Sequence, residues 1–273
     1  MTARGLALDD AAWSSPWRTR RVLDKAVLSL GLLGCAVLLP PLPGGALAGV
    51  AALVLMLGPA RVRPRLLLRC LVAPLVFVLV GAVSVLLTVG WDGGPTIGLA
   101  PQMLPTAGGL FVRATAGALA MFLLATTTPM IDLLASLRRA HVPDPLVEVA
   151  SLVYRMVFVL LESVRSIREA QEARLGSASR QAAMRSASTL MAGTLARAWS
   201  RARRMEDGLA GRGYVDALPT LDPPRHASPR FVAASVMLVA VIVVTSLGTT
   251  SLAASSLAVP GGPLAALVPG GVS

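Results

Sequence analysis

With 273 residues, 55% of them hydrophobic and only 14% charged, and a mean hydropathy of +0.70, the chain lacks the polar surface of a water-soluble globule, in which roughly a quarter of residues are charged. Its 25 basic residues outweigh 14 acidic ones for a net charge of +11, and Lys25 is the single lysine. A P-loop needs a lysine behind a glycine-rich turn, and Lys25 follows none, so the chain is not itself an ATPase of that type. Cys35, Cys70, His141 and His226 stand too far apart for a zinc site or a disulfide framework, and neither a metal nor a cofactor is expected.

The chain opens with a polar segment of 26 residues that includes Asp9, Asp10 and Asp24. Five apolar stretches follow, at 27–39, 46–58, 66–89, 106–128 and 231–247. The third and fourth are long enough to span a bilayer as helices, which takes ~20 residues. The first two have 13 residues each and are joined by Pro40, Pro41, Pro43, Gly44 and Gly45, so they read as a short helical hairpin extended by flanking residues or packed on the longer spans. Leu32-Leu33-Gly34-Cys35 is spelled like a lipobox and Ala46-Leu47-Ala48 like a cleavage site, but the long polar lead with its three aspartates does not match a leader's short basic one, and the region is expected to remain as membrane helices. Arg113 lies inside the fourth span, where a guanidinium must face protein or snorkel; it is assigned to contact with a partner subunit.

Arg18, Arg20, Arg21 and Lys25 precede the first hairpin and Arg61, Arg63, Arg65 and Arg69 follow it, while 40–45 carries no charge and 90–105 only Asp92. The positive-inside rule therefore predicts a cytoplasmic N-terminus and a cytoplasmic block from 129 to 229, with the tail after Leu247 outside. Within that block Glu148, Arg155, Glu162 and Glu169 recur every seven residues along one face of a helix that runs to Glu172-Ala173-Arg174-Leu175-Gly176. A second long helix is predicted from about Ala183 to Ala210, with an apolar seam through Met191, Leu195, Ala198, Ala202, Met205 and Leu209 spaced for contact with another helix. It ends at Gly211-Arg212-Gly213-Tyr214.

Both cytoplasmic helices thus stop at a small-residue turn that carries an arginine. Two readings are open on the residues alone. Arg174 and Arg212 are either ordinary helix-end arginines favoured by the helix dipole, or planar forks presented to a partner's carboxylates on backbone that allows close approach.

Leu8-Asp9 through Trp17 with Ser15-Pro16, Leu137-Arg138-Arg139 with Val142-Pro143, Tyr154-Arg155 before Phe158-Val159-Leu160-Leu161, and Arg212-Gly213-Tyr214 together resemble the transmembrane T component of energy-coupling-factor (ECF) transporters, most closely its cobalt-type CbiQ members. The resemblance implies an all-α polytopic membrane protein of about five transmembrane helices in the cell membrane, with a cytoplasmic helical coupling arm. Residues 1–130 would hold the N-terminal membrane helices, 131–229 the arm, and 230–273 the last membrane helix and an uncharged tail. It further implies two ABC-type ATPase subunits and a substrate-binding membrane subunit as partners. Ala173 and Arg174 match the family's first ATPase-docking motif, and Gly211, Arg212 and Gly213 the second. Leu175 stands where the family usually has glycine or serine, and Gly211 where it usually has alanine. Met191, Leu195, Ala198, Ala202 and Met205 are assigned, with Arg113, to partner contact.

Within transport, the alternatives to cobalt are nickel or a vitamin. In a different class, an intramembrane lipid-linked transferase would need acidic metal-binding clusters near the membrane, and the only adjacent acidic pairs are Asp9-Asp10 and Glu206-Asp207. A nucleic-acid surface is disfavoured because the arm's 14 basic residues are offset by 10 acidic ones and it is poor in aromatics.

Overall fold

The structure is a computed structural model that describes residues 4–90, 96–213 and 228–257. The described residues are helical apart from one small hairpin, and the contacts divide the chain into two units, 1–130 with 224–273, and 131–223.

In the first unit, α1 (Arg4–Ser14) precedes a one-turn 3-10 segment, Pro16–Thr19, capped by the Ser15 hydroxyl, which accepts from the Trp17 N–H. The polar lead is therefore structured, and Trp17 is buried edge-on against Phe231 at 5.2 Å between ring centroids. The first apolar stretch becomes α2 (Val22–Leu38), which starts five residues earlier than its apolar run. It stops at the proline-rich segment, because prolines lack the N–H that a continuing helix needs. A tight turn at Pro41–Gly45 leads into α3 (Ala46–Leu57). α4 (Pro64–Leu86) opens with proline at its first position, where the missing N–H costs nothing.

Helix was expected through Val89, but α4 ends at Leu86, and β1 (Leu87–Gly90) pairs antiparallel with β2 (Thr96–Leu99), Leu87 opposite Leu99 and Gly90 opposite Thr96. The β-branched Thr88 and Val89 favour the extended backbone. Asp92 falls outside the described residues. α5 (Leu104–Thr127) then crosses the unit, and after the second unit α9 (Pro229–Leu257) returns to it. The helix continues ten residues beyond the apolar run that ends at Leu247; the rest of the tail, 258–273, lies outside the described residues.

Among the described residues three helical segments are long and apolar enough to cross a membrane: Pro64–Leu86, Pro101–Thr127 and Pro229–Ser251. Pro41–Leu57 and α2 are shorter apolar helices. They survive by packing: α5 is the hub, touching α1, α2, α3 and α4, while α2 also packs on α9. The core joins Leu28, Leu32 and Cys35 of α2, Ala48, Ala52 and Met56 of α3, Ala116, Leu119 and Leu123 of α5, and Ile242 of α9. Small residues set the spacing. A Cβ on Gly49 would meet the Ala116 Cβ at 3.2 Å, so α3 and α5 approach backbone to backbone. By contrast α4 turns Leu68, Val72, Val76, Phe77 and Val80 outward, as a lipid-facing helix of a multi-pass membrane protein does.

The second unit contains α6 (Met130–Arg139, whose first residue belongs to the membrane unit), α7 (Asp144–Ala173) and α8 (Arg180–Ala210). The α6–α7 turn is closed by an Arg138–Asp144 ion pair at 3.7 Å and by His141 in the left-handed region, φ 62°. α7 and α8 run antiparallel: Gln171 bonds to the Ser186 carbonyl, Ile167 lies against Gly193, and Leu152 and Met156 share a groove with Met205. Of the heptad series, Glu148 is buried, and Arg155, Glu162 and Glu169 are exposed.

Candidate coupling site at two arginine turns

α7 ends after Ala173, and the backbone then turns through Arg174, with φ −98° and ψ 20°, into Leu175 at φ 57°. The Arg174 N–H donates to the Gln171 carbonyl at 3.1 Å, and the Leu175 N–H to the Glu172 carbonyl at 3.1 Å. At the end of α8 the Arg212 N–H donates to the Leu209 carbonyl at 3.1 Å, and the Gly213 N–H to the Ala210 carbonyl at 3.1 Å, with Gly213 at φ 70°. The two ends therefore share one backbone design. Each arginine and its successor bond three residues back, and the successor is left-handed, a conformation helix C-termini use to satisfy their last carbonyls.

Both arginines are exposed, and among the described residues neither guanidinium is held by an acid. Ala173, Gly211 and Gly213 flank them with little or no side chain, also exposed. Tyr214 lies outside the described residues. Leu175, where small residues are usual in the resembled family, is 75% exposed, so its side chain projects beside Arg174 instead of packing under it.

The first turn is fixed to α8 by two hydrogen bonds and closed by a third within itself. The Gln171 side chain donates to the Ser186 carbonyl at 2.9 Å, the Ser186 hydroxyl donates to the Gly176 carbonyl at 2.9 Å, and the Gly176 N–H returns to the Gln171 carbonyl at 2.9 Å. Gly176 is required there, since a Cβ would stand 2.5 Å from the Ser186 hydroxyl and 2.9 Å from the Gln171 carbonyl. Neither this closed ring nor the left-handed Leu175 is visible in residue spacing: leucine is no marker of positive φ, and Gln171 and Ser186 are fifteen residues apart.

The seam drawn along α8 divides. Ala198 and Met205 are half-buried, with Met205 in the groove beside Leu152 and Met156. Met191 and Leu195 are 74% and 69% exposed, and Ala202 is exposed. α7 packs on the small-residue face of α8 through Ser186 and Gly193. Met191 and Leu195 thus remain as outward apolar side chains, joined by Met184 and Trp199, the latter under the Arg203 guanidinium at 5.4 Å. The groove between α7 and α8 also gathers Arg155, Arg201 and Arg204, a concentration of positive charge.

Arg113 is half-buried in α5, its guanidinium donating to the Leu39 carbonyl at 3.1 Å. Leu39 terminates α2, so a cation sits where the helix dipole favours one. Gly45 lies beside it, its Cβ position 3.9 Å from the Arg113 Cα.

The profile of a family described as cobalt transport protein, CbiQ, matches residues 14–220. A cobalt transport protein CbiQ from Rhodobacter capsulatus is 43% identical over 223 residues, 82% of this chain and 90% of its own length. A second CbiQ, from Salmonella typhimurium, is 29% identical over 183 residues, 62% of this chain and 79% of its own. A putative fused cobalt transport protein CbiMQ from Methanocorpusculum labreanum is 29% identical over 238 residues, 81% of this chain but 39% of the fused protein. The match reaches from the Trp17 region through α5, the α7–α8 hairpin and both arginine turns, and the chain belongs to the CbiQ family of cobalt transport proteins.

Proposed function

We propose that this chain is the energy-coupling transmembrane component of an ECF-type ABC importer for cobalt ions, passing conformational change from two ATPase subunits to a substrate-binding membrane subunit. The names of its relatives support cobalt as the cargo, and the fused CbiMQ protein supports a second membrane component acting beside it. The reading places the N-terminus and residues 129–229 in the cytoplasm. ATP hydrolysis belongs to the partners.

The observation that carries the proposal is the repeated turn. Ala173-Arg174 and Gly211-Arg212-Gly213 present exposed guanidiniums on the same three-back, left-handed backbone at the ends of two different helices. Two equivalent seats suit two equivalent ATPases. The basic groove of Arg155, Arg201 and Arg204 supports an acidic partner surface, and Met191 and Leu195 supply apolar contact on the same arm. Arg113 and Met205, already engaged within the chain, contribute by holding the elements that meet the partners.

The test is co-purification and cobalt uptake. Truncating one member of a buried, charge-assisted contact costs ~2–5 kcal/mol, so Arg174→Ala with Arg212→Ala is expected to release the ATPases and abolish uptake while the membrane partner stays bound. Retention of ATPases and uptake by this double variant rejects the docking assignment.

A further inference from the structure

The chain leaves the membrane unit at Met130 and re-enters it at Pro224, so motion of residues 131–223 reaches that unit covalently at two places only. Both are held by adjacent residues at the start of α2. Lys25, only 2% exposed, donates from Nζ to the Thr127 carbonyl at 2.8 Å, at the last residue of α5. Asp24, also buried, accepts the Ser228 N–H on Oδ2 at 3.2 Å, immediately before α9 begins. Successive residues on a helix point ~100° apart, which is why one can serve α5 and the other α9, the two helices between which α2 packs.

The surroundings leave these bonds to the clasp. The Thr126 and Thr127 hydroxyls are spent on their own helix, donating to the Phe122 and Leu123 carbonyls at 2.7 and 2.6 Å. A lysine ammonium at the carbonyl end of α5 and a carboxylate at the N–H end of α9 each match the sign of the helix dipole they meet. The exit is gripped a second time: Asp9 of α1 accepts the Met130 N–H at 3.3 Å and the Trp13 indole N–H at 3.1 Å. Two buried ionised side chains are costly to keep in a protein interior unless hydrogen-bonded there, and these bonds join segments 102 and 204 residues apart.

We propose that Asp24 and Lys25 are positioning residues for coupling, a clasp that ties the exit and the re-entry of the arm to α2 so that both strands move the membrane helices together. The proposal rests on the coupling function above. It is tested on the complete complex, with ATPases and membrane partner, in proteoliposomes, by recording Co²⁺ entry per ATP hydrolysed. Lys25→Met and Asp24→Leu are expected to keep ATPase binding and hydrolysis within about twofold of wild type and KM for Co²⁺ unchanged, while entry per ATP falls about tenfold. Asp24→Asn keeps an acceptor oxygen for the Ser228 N–H and is expected to retain wild-type coupling. Normal entry per ATP in Lys25→Met and Asp24→Leu overturns the clasp, as does equal loss in Asp24→Asn and Asp24→Leu. If Lys25→Met does not accumulate, the two Asp24 variants decide; if none of the three accumulates, the pair serves folding and the proposal falls. The Arg174→Ala/Arg212→Ala variant runs in parallel: if it keeps its ATPases and uptake the docking assignment is rejected, and if it loses them while the clasp variants couple normally only the clasp is.

Discussion

Gly211 and Gly213 flank Arg212, yet the structure predicts opposite responses when each is replaced by alanine. Gly211 has φ −66° and ψ −15°, ordinary helical backbone, and a Cβ there would meet the Asp207 carbonyl at 3.4 Å, a normal contact. Alanine is favoured over glycine in such a position by ~0.5–1 kcal/mol, because glycine has more freedom to lose. Gly213 has φ 70° with open space around its Cβ position, so the whole cost of alanine there is backbone. That cost is ~1–2 kcal/mol, offset by about 0.5 kcal/mol from the stiffer open state. The assay is amide hydrogen exchange at Arg212 and Gly213, whose N–H groups bond to Leu209 and Ala210, corrected for intrinsic rates. At ~1.4 kcal/mol per factor of ten, Gly211→Ala is expected to raise protection about threefold and Gly213→Ala to lower it about fivefold. Changes of the same sign in the two variants would refute the assignment of a left-handed turn after Arg212.

Gly176→Ala drives a methyl into the Gln171 carbonyl and the Ser186 hydroxyl and is expected to destabilise the α7–α8 connection by ~1–3 kcal/mol, seen as lost exchange protection at Ser186 and its neighbours; unchanged protection refutes the hydrogen-bonded ring. Gly49→Val should separate α3 from α5, with a cost of similar size, measured as a lower melting temperature of the detergent-purified chain. Arg113→Leu removes a charged hydrogen bond to the Leu39 carbonyl, worth ~1.5–3 kcal/mol; melting of the chain purified alone should fall, whereas unchanged melting with lost binding of the membrane partner would assign the guanidinium to that partner instead. For topology, Ser177→Cys and Ser256→Cys in a background without Cys35 and Cys70 should be modified by an impermeant reagent from outside only at position 256, and labelling at 177 in intact cells overturns the orientation.

What could be read from the sequence followed the range of the interactions. Apolar runs of bilayer length marked α4 and α5, a shorter run marked α9, and the arginines closing α7 and α8 stood out because glycine and alanine surround them. α1 and α6 escaped notice, as short segments mixing polar and apolar residues carry little signal without the helices they lie on. The face of α8 that meets α7 carries little apolar signal, since it packs through Ser186 and Gly193. Nothing local singles out Asp24 and Lys25, whose partners lie more than a hundred residues away.

The antiparallel run of α7 and α8 puts Arg174 and Arg212 at opposite ends of one hairpin. α8 has 31 residues, so at ~1.5 Å each the two guanidiniums are seated about 45 Å apart along its axis, more than the roughly 35 Å breadth of a 100-residue domain. A helix lengthens only by breaking its ladder, so the hairpin behaves as a gauge of fixed span. Any two partners held at its ends stay that distance apart, so a force on either end tilts the hairpin as one piece instead of shortening it.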